Sequence, residues 1–313
     1  MQEKIKQAVE GVLKCKALEV TKITDGFSHF NFEVKIDKEP GAVIVRFSNN
    51  KDEEYGLKKE EFVIKLLEKN NIPVPKIFFI NDHCMILEKL KGIRLDTIWK
   101  SLSKNEKIQI TIEIGKLLKN IHNIKLNSFG KITGKGVISD KSFLFKNTNE
   151  NINFSPFLRE CLRIFGKDFF RLLSYKHLST EFVTNIIKVI HDNLETIDYK
   201  DKPTLIHVDF HEAHLFVKKI NNAWKITGLI DFEFARSLSP EYDFIKLHRG
   251  GFFNDPELLN ALKQGYGKIN EKSVYIHRLM RDLGYAQVLR DSGKIQESDN
   301  ILKELEGKIR ILT

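Results

Sequence analysis

The chain has 313 residues, of which 42% are hydrophobic and 30% are charged, and its formal net charge is +9. This composition excludes a mainly disordered chain, and the length allows two lobes that each bury a core. Cations alternate with acids along the sequence, as at Lys58 and Lys59 on an expected solvated helix face. The positive charge therefore indicates solvated surface rather than a nucleic-acid partner.

Cysteine spacing and the N-terminal segment indicate the compartment. Cys15, Cys84 and Cys161 are far apart and show no CxxC spacing, which predicts neither a disulfide framework nor a zinc ribbon. The N-terminal segment mixes Glu and Lys with apolar residues, unlike a signal peptide. No apolar run reaches the roughly 18 residues of a membrane span. We expect a soluble, cytoplasmic protein without a membrane partner.

The first ninety residues predict a strand-rich unit with one crossing helix. Apolar periodicity predicts helices at 2–13 and 52–70, and the two prolines in 71–75 end the second helix. Alternating or apolar runs predict strands at Glu19–Ile23, Phe30–Ile36, Ala42–Phe47, Lys76–Ile80 and Cys84–Glu88.

Helical patterns dominate after Gly92. Helices are predicted at 104–121, 155–175 and 180–196, with an irregular stretch at 127–150. Strands are predicted at 204–208, 214–218 and 224–230, and helices fill the remainder. This change of pattern places a domain boundary near residue 90.

Two carboxylates follow apolar strands in the second half of the chain. Asp209 lies in the run HVDFHEAH, directly after the strand predicted at 204–208. Asp231 comes 22 residues later, directly after the strand predicted at 224–230. Acids at adjacent strand ends suit phosphoryl transfer, because one accepts the proton of a hydroxyl and the other holds Mg²⁺ against phosphate oxygens. His207, Asp209, His211 and His214 are also metal-ligand types, so a zinc or dinuclear hydrolase is the alternative.

The motif His207-x-Asp209-x4-His214, followed by Asp231-Phe232 after a strand, resembles the catalytic loop and metal-binding strand of aminoglycoside phosphotransferases. That family has a fold similar to protein kinases. The resemblance implies an α+β, bilobal protein-kinase-like fold, with a small antiparallel-sheet N-lobe carrying one helix and a larger, mainly helical C-lobe. The lobes would be residues 1–90 and 91–313, joined by a hinge at about 88–92.

The resemblance also implies the role of each site residue. Asp209 would be the catalytic base, His214 and Asp231 would bind Mg²⁺, and His207 would brace the loop through hydrogen bonds. The nucleotide, ATP or GTP, would be bound by residues of the N-lobe and hinge. These are Gly26 and Ser28 in a loop over the phosphates, Arg46 and Glu60 as a cation–acid pair, and Glu88 and Leu90 in the hinge.

Two positions differ from most of the family. His214 stands where most members have Asn, but the aminoglycoside 2''- and macrolide 2'-phosphotransferases resemble this chain in having His there. Imidazole suits Mg²⁺ less well than an amide oxygen, which leaves the metal preference open. Arg46 replaces Lys but keeps the charge and can bind two phosphate oxygens. Lys35 on the neighbouring strand is the alternative cation.

The resemblance implies a kinase whose partners are a nucleoside triphosphate and a small hydroxyl-bearing substrate, expected to be an aminoglycoside antibiotic. A polycationic acceptor requires acids near the cleft, for which Glu233, Asp243 and Asp282 are candidates. A macrolide would instead need an apolar pocket, which the Phe-rich segment 143–175 could supply. Sugar or amino-alcohol kinases and a nucleotide-binding module without catalysis are further alternatives.

Overall fold

The computed structural model describes residues 1–23, 30–48, 56–138, 155, 157 and 178–312. Gly26, Ser28 and nearly all of the helix expected at 155–175 lie outside these residues, as does most of the Phe-rich segment. None of the helices in the described ranges is both long and apolar enough to cross a lipid bilayer.

Five antiparallel strands form the sheet of the first ninety residues, in the order β1–β2–β3–β5–β4. The strands are β1 (Ala17–Ile23), β2 (Phe30–Ile36), β3 (Ala42–Phe47), β4 (Ile77–Ile80) and β5 (Cys84–Glu88). Helix α1 (Gln2–Leu13) packs its buried Ile5 and Val9 into the same core cluster as Val34, Val43 and Val45 of the sheet. All five strands occur where the sequence predicts them, with differences of one or two residues at the ends of β1 and β4.

Helix α2 (Leu57–Lys69) covers the opposite face of this sheet. Along β5, Ile86 belongs to the cluster beneath α1, whereas Met85 and Leu87 belong to the cluster that contains Val63 of α2. This division follows from the alternation of side chains along a strand. The α2 cluster continues into the helices after residue 92, so α2 joins the sheet to the rest of the protein.

The described chain after residue 92 is mainly helical and contains two small sheets. The helices are α3 (Leu95–Trp99), α4 (Lys104–His122), α5 (Thr180–His191), α6 (Leu194–Ile197), α7 (Phe244–Arg249), α8 (Pro256–Tyr266), α9 (Glu271–Asp291) and α10 (Ile295–Leu312). The strands are β6 (Ile93–Arg94), β7 (Gly130–Thr133), β8 (Gly136–Ile138), β9 (Thr204–Ile206), β10 (Leu215–Ile220), β11 (Ala223–Leu229) and β12 (Arg236–Leu238). The sheets have the orders β11–β10–β6 and β8–β7–β12–β9, and the fold is α+β as predicted.

The sequence patterns miss the shortest strands. β7 and β8 lie in a stretch expected to be irregular, and β6 and β12 lie where no strand is expected. Each of the four has between two and four residues, which is too short for alternation to be recognised. The single helix expected at 180–196 is divided into α5 and α6. The boundary near residue 90 stays a prediction.

Two glycines allow α4 and α8 to pack with their backbones in contact. A Cβ atom on Gly115 would lie 2.4 Å from the carbonyl oxygen of Leu262, and one on Gly265 would lie 2.1 Å from that of Ile112. Only glycine fits at such distances. The contact positions the C-terminal ends of both helices, where His122 and Tyr266 meet.

Replacing Gly265 with Ala should lower the free energy of unfolding by about 1–3 kcal/mol, because the methyl group forces the two backbones apart. Helix propensity alone would favour Ala by roughly 1 kcal/mol. Gly11→Ala in α1 is the matched control, since a Cβ there meets nothing within 4 Å. Urea denaturation of both variants measures the difference. A Gly265→Ala protein as stable as Gly11→Ala would contradict the close packing.

Candidate active site

One buried acid shapes the loop that carries Asp209, between β9 and β10. Asp243 is 0% exposed and accepts hydrogen bonds from the backbone amides of His207, at 2.9 Å, and Val208, at 2.6 Å. Val208 has a left-handed φ of 72°, a conformation that costs a non-glycine residue about 1–3 kcal/mol. The bond from its own amide to Asp243 therefore stabilises the turn that places Asp209.

Asp243 is itself held by His122 at the end of α4, and Tyr266 at the end of α8 holds His122 in turn. The Nε2 atom of His122 lies 3.0 Å from Asp243 Oδ2, and the His122 Nδ1 atom lies 2.9 Å from the Tyr266 hydroxyl. Because a carboxylate accepts, Nε2 donates to Asp243, and the other ring nitrogen is hydrogen-bonded to the Tyr266 hydroxyl. Burial raises the pKa of Tyr266, which keeps its hydroxyl protonated. Asp243 is thus fully engaged and unavailable to an acceptor, contrary to one sequence prediction.

The Asp209 carboxylate lies between two basic side chains. Its Oδ1 atom is 2.8 Å from Lys246 Nζ, and its Oδ2 atom is 3.4 Å from His211 Nε2. Burial raises the pKa of Asp209, but hydrogen bonds from His211 and Lys246 outweigh burial and hold this pKa well below its usual value. The group is therefore ionised at neutral pH. The sequence patterns do not single out Lys246.

The second acid, Asp231, approaches the same loop through His214. The Nε2 atom of His214 lies 3.1 Å from Asp231 Oδ2, while its Nδ1 atom donates to the backbone carbonyl of Asp209 at 2.9 Å. Burial raises the pKa of Asp231, but the contact with His214 and the charge of Arg46 lower it to about 2. The structure thus brings Asp209, His214 and Asp231 together, as the sequence predicts.

His207 ties the two acid-bearing segments into one unit. It is 2% exposed, and its Nε2 atom donates to the carbonyl of Ile230 at 2.9 Å, directly before Asp231. The His207 and His214 rings stack with centroids 5.6 Å apart. Burial lowers the pKa of His207 and favours its neutral form. These contacts give the residue the bracing geometry expected of it.

A buried ion pair from the N-terminal sheet faces these acids. Arg46 and Glu60 are 8% and 3% exposed, and the Nη1 atom of Arg46 donates to Glu60 Oε1. Burial lowers the pKa of Arg46, but Glu60 and then Asp231 raise it above its usual value, which places its charge near the second acid. Lys35, the alternative cation, instead pairs with Glu19 and is 56% exposed.

The structure contradicts the sequence prediction at Lys59, which is 2% exposed rather than solvated. Its Nζ atom donates to the backbone carbonyl of Glu233, two residues after Asp231. Lys58, the preceding residue, does lie at the surface, where it pairs with Asp82. Helix α2 therefore reaches the Asp231 segment through Lys59, while its Glu60 fixes Arg46.

The two hinge residues lie where the chain leaves the first sheet. The amide of Glu88 donates to the carbonyl of Lys76 at 2.8 Å, which pairs the end of β5 with the start of β4. Leu90 packs on Gly228 of β11, because a Cβ atom added to Gly228 would lie 2.4 Å from Leu90 Cδ1. Their contact with a nucleotide, like that of Gly26 and Ser28, stays a prediction.

Two groups of side chains have the chemistry to hold a metal ion. Asp209, His211 and His214 place one ligand atom each within 4.8 Å of one another, but Lys246 already neutralises Asp209. His214 Nε2 and Asp231 Oδ2 are 3.1 Å apart. Burial lowers the pKa of His214, but the hydrogen bond with Asp231 and its charge raise it above the usual value, so without a metal Nε2 carries a proton and donates to this carboxylate. Adjacent ligands of an octahedral ion at about 2.1 Å are about 3 Å apart, so the spacing of this pair fits Mg²⁺ once the ion displaces that proton.

The model of the phosphotransferase enzyme family matches residues 19–277. The chain belongs to this family. Its fold matches those of solved structures over nearly the whole length of each chain. One is the GDP complex of aminoglycoside 2'-phosphotransferase-IIIa, with a TM-score of 0.71, 14% sequence identity and 98% of both chains covered. A second is the streptomycin–ATP–APH(2")-IIa ternary complex, with a TM-score of 0.64, 18% identity and coverage of 97% of this chain and 96% of that one. A third is macrolide 2'-phosphotransferase type I, with a TM-score of 0.65, 12% identity and coverage of 98% of this chain and 96% of that one. The predicted family and kinase-like fold are confirmed.

Replacing Asp243 with Asn should lower the free energy of unfolding by about 2–4 kcal/mol, because the amide has one accepting oxygen where the carboxylate uses two. Tyr266→Phe is the control, since it removes only the hydroxyl beyond His122 and should cost about 1 kcal/mol. Denaturation and phosphotransferase assays of both variants test this. Equal losses in the two variants would show that Asp243 does not hold the loop.

Proposed function

We propose that the protein is a cytoplasmic, Mg²⁺-dependent kinase that transfers the γ-phosphoryl group of ATP or GTP to a hydroxyl group of a small molecule. Its family consists of phosphotransferases. The observation that carries the proposal is that His214 joins the two acid-bearing segments. Its Nε2 atom lies 3.1 Å from the Asp231 carboxylate, and its Nδ1 atom donates to the backbone carbonyl of Asp209 and lies 3.9 Å from the Asp209 carboxylate. Cys15 and Cys84 are free thiols, which is consistent with a reducing compartment.

Asp209 would orient the acceptor hydroxyl for attack. Its pKa is too low for a strong base, but the transition state of phosphoryl transfer is loose and demands positioning more than proton removal. An ionised carboxylate accepts the hydroxyl's hydrogen bond and so directs the oxygen lone pair toward phosphorus. His207 and Asp243 hold the loop that makes this placement reproducible.

His214 and Asp231 would hold Mg²⁺, and Arg46 would add a second positive charge at the nucleotide. A bound Mg²⁺ neutralises charge on the phosphate oxygens. Arg46 is fixed by Glu60, so its guanidinium reaches phosphates without first losing side-chain freedom. Residues 1–90 would form the nucleotide-binding lobe and residues 91–313 the catalytic and substrate-binding lobe, with the hinge at about 88–92 holding the base.

An aminoglycoside is the first acceptor class to test. The names of the similar structures include streptomycin and macrolide 2'-phosphotransferase, which makes a macrolide the second class. Two of the acids expected to bind a polycation are committed elsewhere: Asp243 is buried, and Asp282, 4% exposed, pairs with Arg249 and Arg278. Glu233 alone of the three is partly exposed.

The direct test is a screen of aminoglycosides, macrolides, sugars and amino alcohols with ATP and GTP in parallel. Nucleotide consumption and an acceptor mass increased by one phosphoryl group would support the proposal. Tight nucleotide binding without transfer to any hydroxyl compound would instead favour a binding module. Stoichiometric zinc in the purified protein would favour a hydrolase at Asp209, His211 and His214.

Replacing Asp209 with Ala should reduce transfer more than about 100-fold, because the hydroxyl loses the group that orients it. Nucleotide affinity should persist, since the proposed phosphate and metal contacts remain. Asp82→Ala, which removes a surface acid paired with Lys58, is the control and should keep full activity. Turnover that is unchanged in Asp209→Ala would remove the assignment.

Replacing Arg46 with Ala should weaken ATP or GTP binding roughly tenfold or more, the effect of losing a charge-assisted hydrogen bond to phosphate. Lys35→Ala in the neighbouring strand is the matched control and should change affinity less than about twofold. Since Arg46→Ala leaves Glu60 buried without its partner, Arg46→Lys provides a variant that keeps the charge. Equal nucleotide affinity in the Ala variants of Arg46 and Lys35 would contradict the predicted role.

A further inference from the structure

Lys246 reaches the Asp209 carboxylate from a different segment of the chain than the loop that carries this acid. It lies in α7, three residues after Asp243, whose carboxylate accepts hydrogen bonds from two backbone amides of that loop. Asp243 has helical backbone angles, so the two side chains leave the same side of the turn. One turn of the chain therefore holds the loop backbone through Asp243 and meets the acid of that loop through Lys246.

This contact uses only part of the hydrogen-bonding capacity of the Lys246 ammonium. Its Nζ atom lies 2.8 Å from Asp209 Oδ1, and it has no second side-chain partner in the described part of the chain. An ammonium has three N–H donors, so two of them remain for a ligand or for water. The side chains of Lys246 and Asp209 are 34% and 20% exposed, which leaves the pair open to a bound molecule.

The proposed transfer brings phosphate oxygens within reach of this ammonium. An acceptor hydroxyl that is hydrogen-bonded to Asp209 lies about 3 Å from the carboxylate. The attacked phosphorus then lies about 3–3.5 Å from the hydroxyl oxygen. Because Lys246 Nζ contacts the same carboxylate and has a flexible four-carbon stem, it can reach an oxygen of the transferring group without leaving Asp209.

A cation at this point answers an electrostatic problem of the reaction. The transferring phosphoryl group carries negative charge over three oxygens, and the ionised Asp209 carboxylate adds a like charge beside it. Like charges at such distances repel each other, and the repulsion is larger in a partly buried site than in water. Lys246 is the closest cation to this carboxylate, since the other basic neighbour, His211, lies 3.4 Å away on Oδ2.

We infer that Lys246 is a catalytic residue that binds an oxygen of the transferring phosphoryl group with its two remaining donors while the third holds Asp209. This inference rests on the proposed function, which places Asp209 at the point of transfer. The acceptor oxygen forms its bond to phosphorus as the bond from phosphorus to the bridging oxygen of the nucleoside diphosphate breaks. The hydroxyl proton leaves through Asp209 to water, and Lys246 keeps its own protons.

The first experiment needs no acceptor. Aluminium fluoride, bound with Mg²⁺ and ADP or GDP, mimics the phosphoryl group in transfer, and we expect it to tighten diphosphate binding by the full-length protein roughly tenfold or more in calorimetry. Lys246→Met should lose most of this gain, the effect of one charge-assisted hydrogen bond, and should bind the diphosphate alone within about twofold of the wild type. A wild type without the gain, or an equal gain in Lys246→Met, would overturn the inference.

Lys263→Met is the matched control for this experiment. Lys263 lies in α8, pairs with one acid, Glu271, at 2.6 Å and is 37% exposed, so it resembles Lys246 in exposure and partner. It should keep the whole gain from aluminium fluoride. The same loss in both variants would show a general effect of surface charge and would also overturn the inference.

Kinetics separate a contact with the phosphoryl group from mere positioning of Asp209. With the acceptor found in the screen, Lys246→Met should lower kcat roughly ten- to hundredfold and leave the KM for nucleotide within about twofold, because the contact strengthens in the transition state. Lys246→Arg should recover part of kcat because it restores the charge. In a double-mutant cycle, Lys246→Met should lower the residual transfer of Asp209→Asn by a similar factor. No further loss there would show that Lys246 acts only through Asp209 and would refute a catalytic role.

Thermal stability tests whether the role is structural. Lys246→Met should keep its Tm within about 3 °C of the wild type, because a partly exposed ion pair contributes little stability. A large fall in Tm, together with weaker binding of ADP or GDP alone, would show that Lys246 is structural and would overturn the inference. Full transfer by Asp209→Ala would refute the proposed function but would not change the aluminium fluoride result for Lys246.

Discussion

The buried carboxylate of Asp243 is the constraint on which the candidate site depends. It accepts two consecutive backbone amides of the loop before Asp209 and stabilises the left-handed turn at Val208. A carboxylate buried this deeply is tolerated only when its oxygens are satisfied, and His122 supplies the remaining donor. The packing of α4 against α8, which brings His122 to Tyr266, therefore helps to support the loop that carries Asp209.

A second set of contacts couples the N-terminal sheet to the same loop. Helix α2 presents adjacent residues in two directions: Glu60 fixes Arg46 of β3, and Lys59 donates to the carbonyl of Glu233 beyond Asp231. A movement of α2 would therefore displace the proposed phosphate-binding cation and the proposed metal segment together. Burial lowers the pKa of Arg46, but the charges of Glu60 and Asp231 raise it above its usual value, so the cation of β3 and the acid after β11 attract each other.

The sequence predicts well what is local and poorly what depends on distant partners. The strand boundaries of β2, β3 and β5 and the convergence of Asp209 with Asp231 follow from alternation and motif spacing. The burial of Lys59 does not, because it depends on a carbonyl 174 residues away. Lys246 is missed for the same reason, since its contact with Asp209 requires the chain to turn at Asp243 and fold back.

The charges around Asp209 suit a weakly basic carboxylate to the phosphoryl transfer that we propose. Hydrogen bonds from His211 and Lys246 outweigh burial and depress the pKa of Asp209, so the group is a weak base, and the ammonium of Lys246 places positive charge where the phosphoryl group of the proposed transfer would carry negative charge. In a loose transition state this electrostatic stabilisation outweighs base strength.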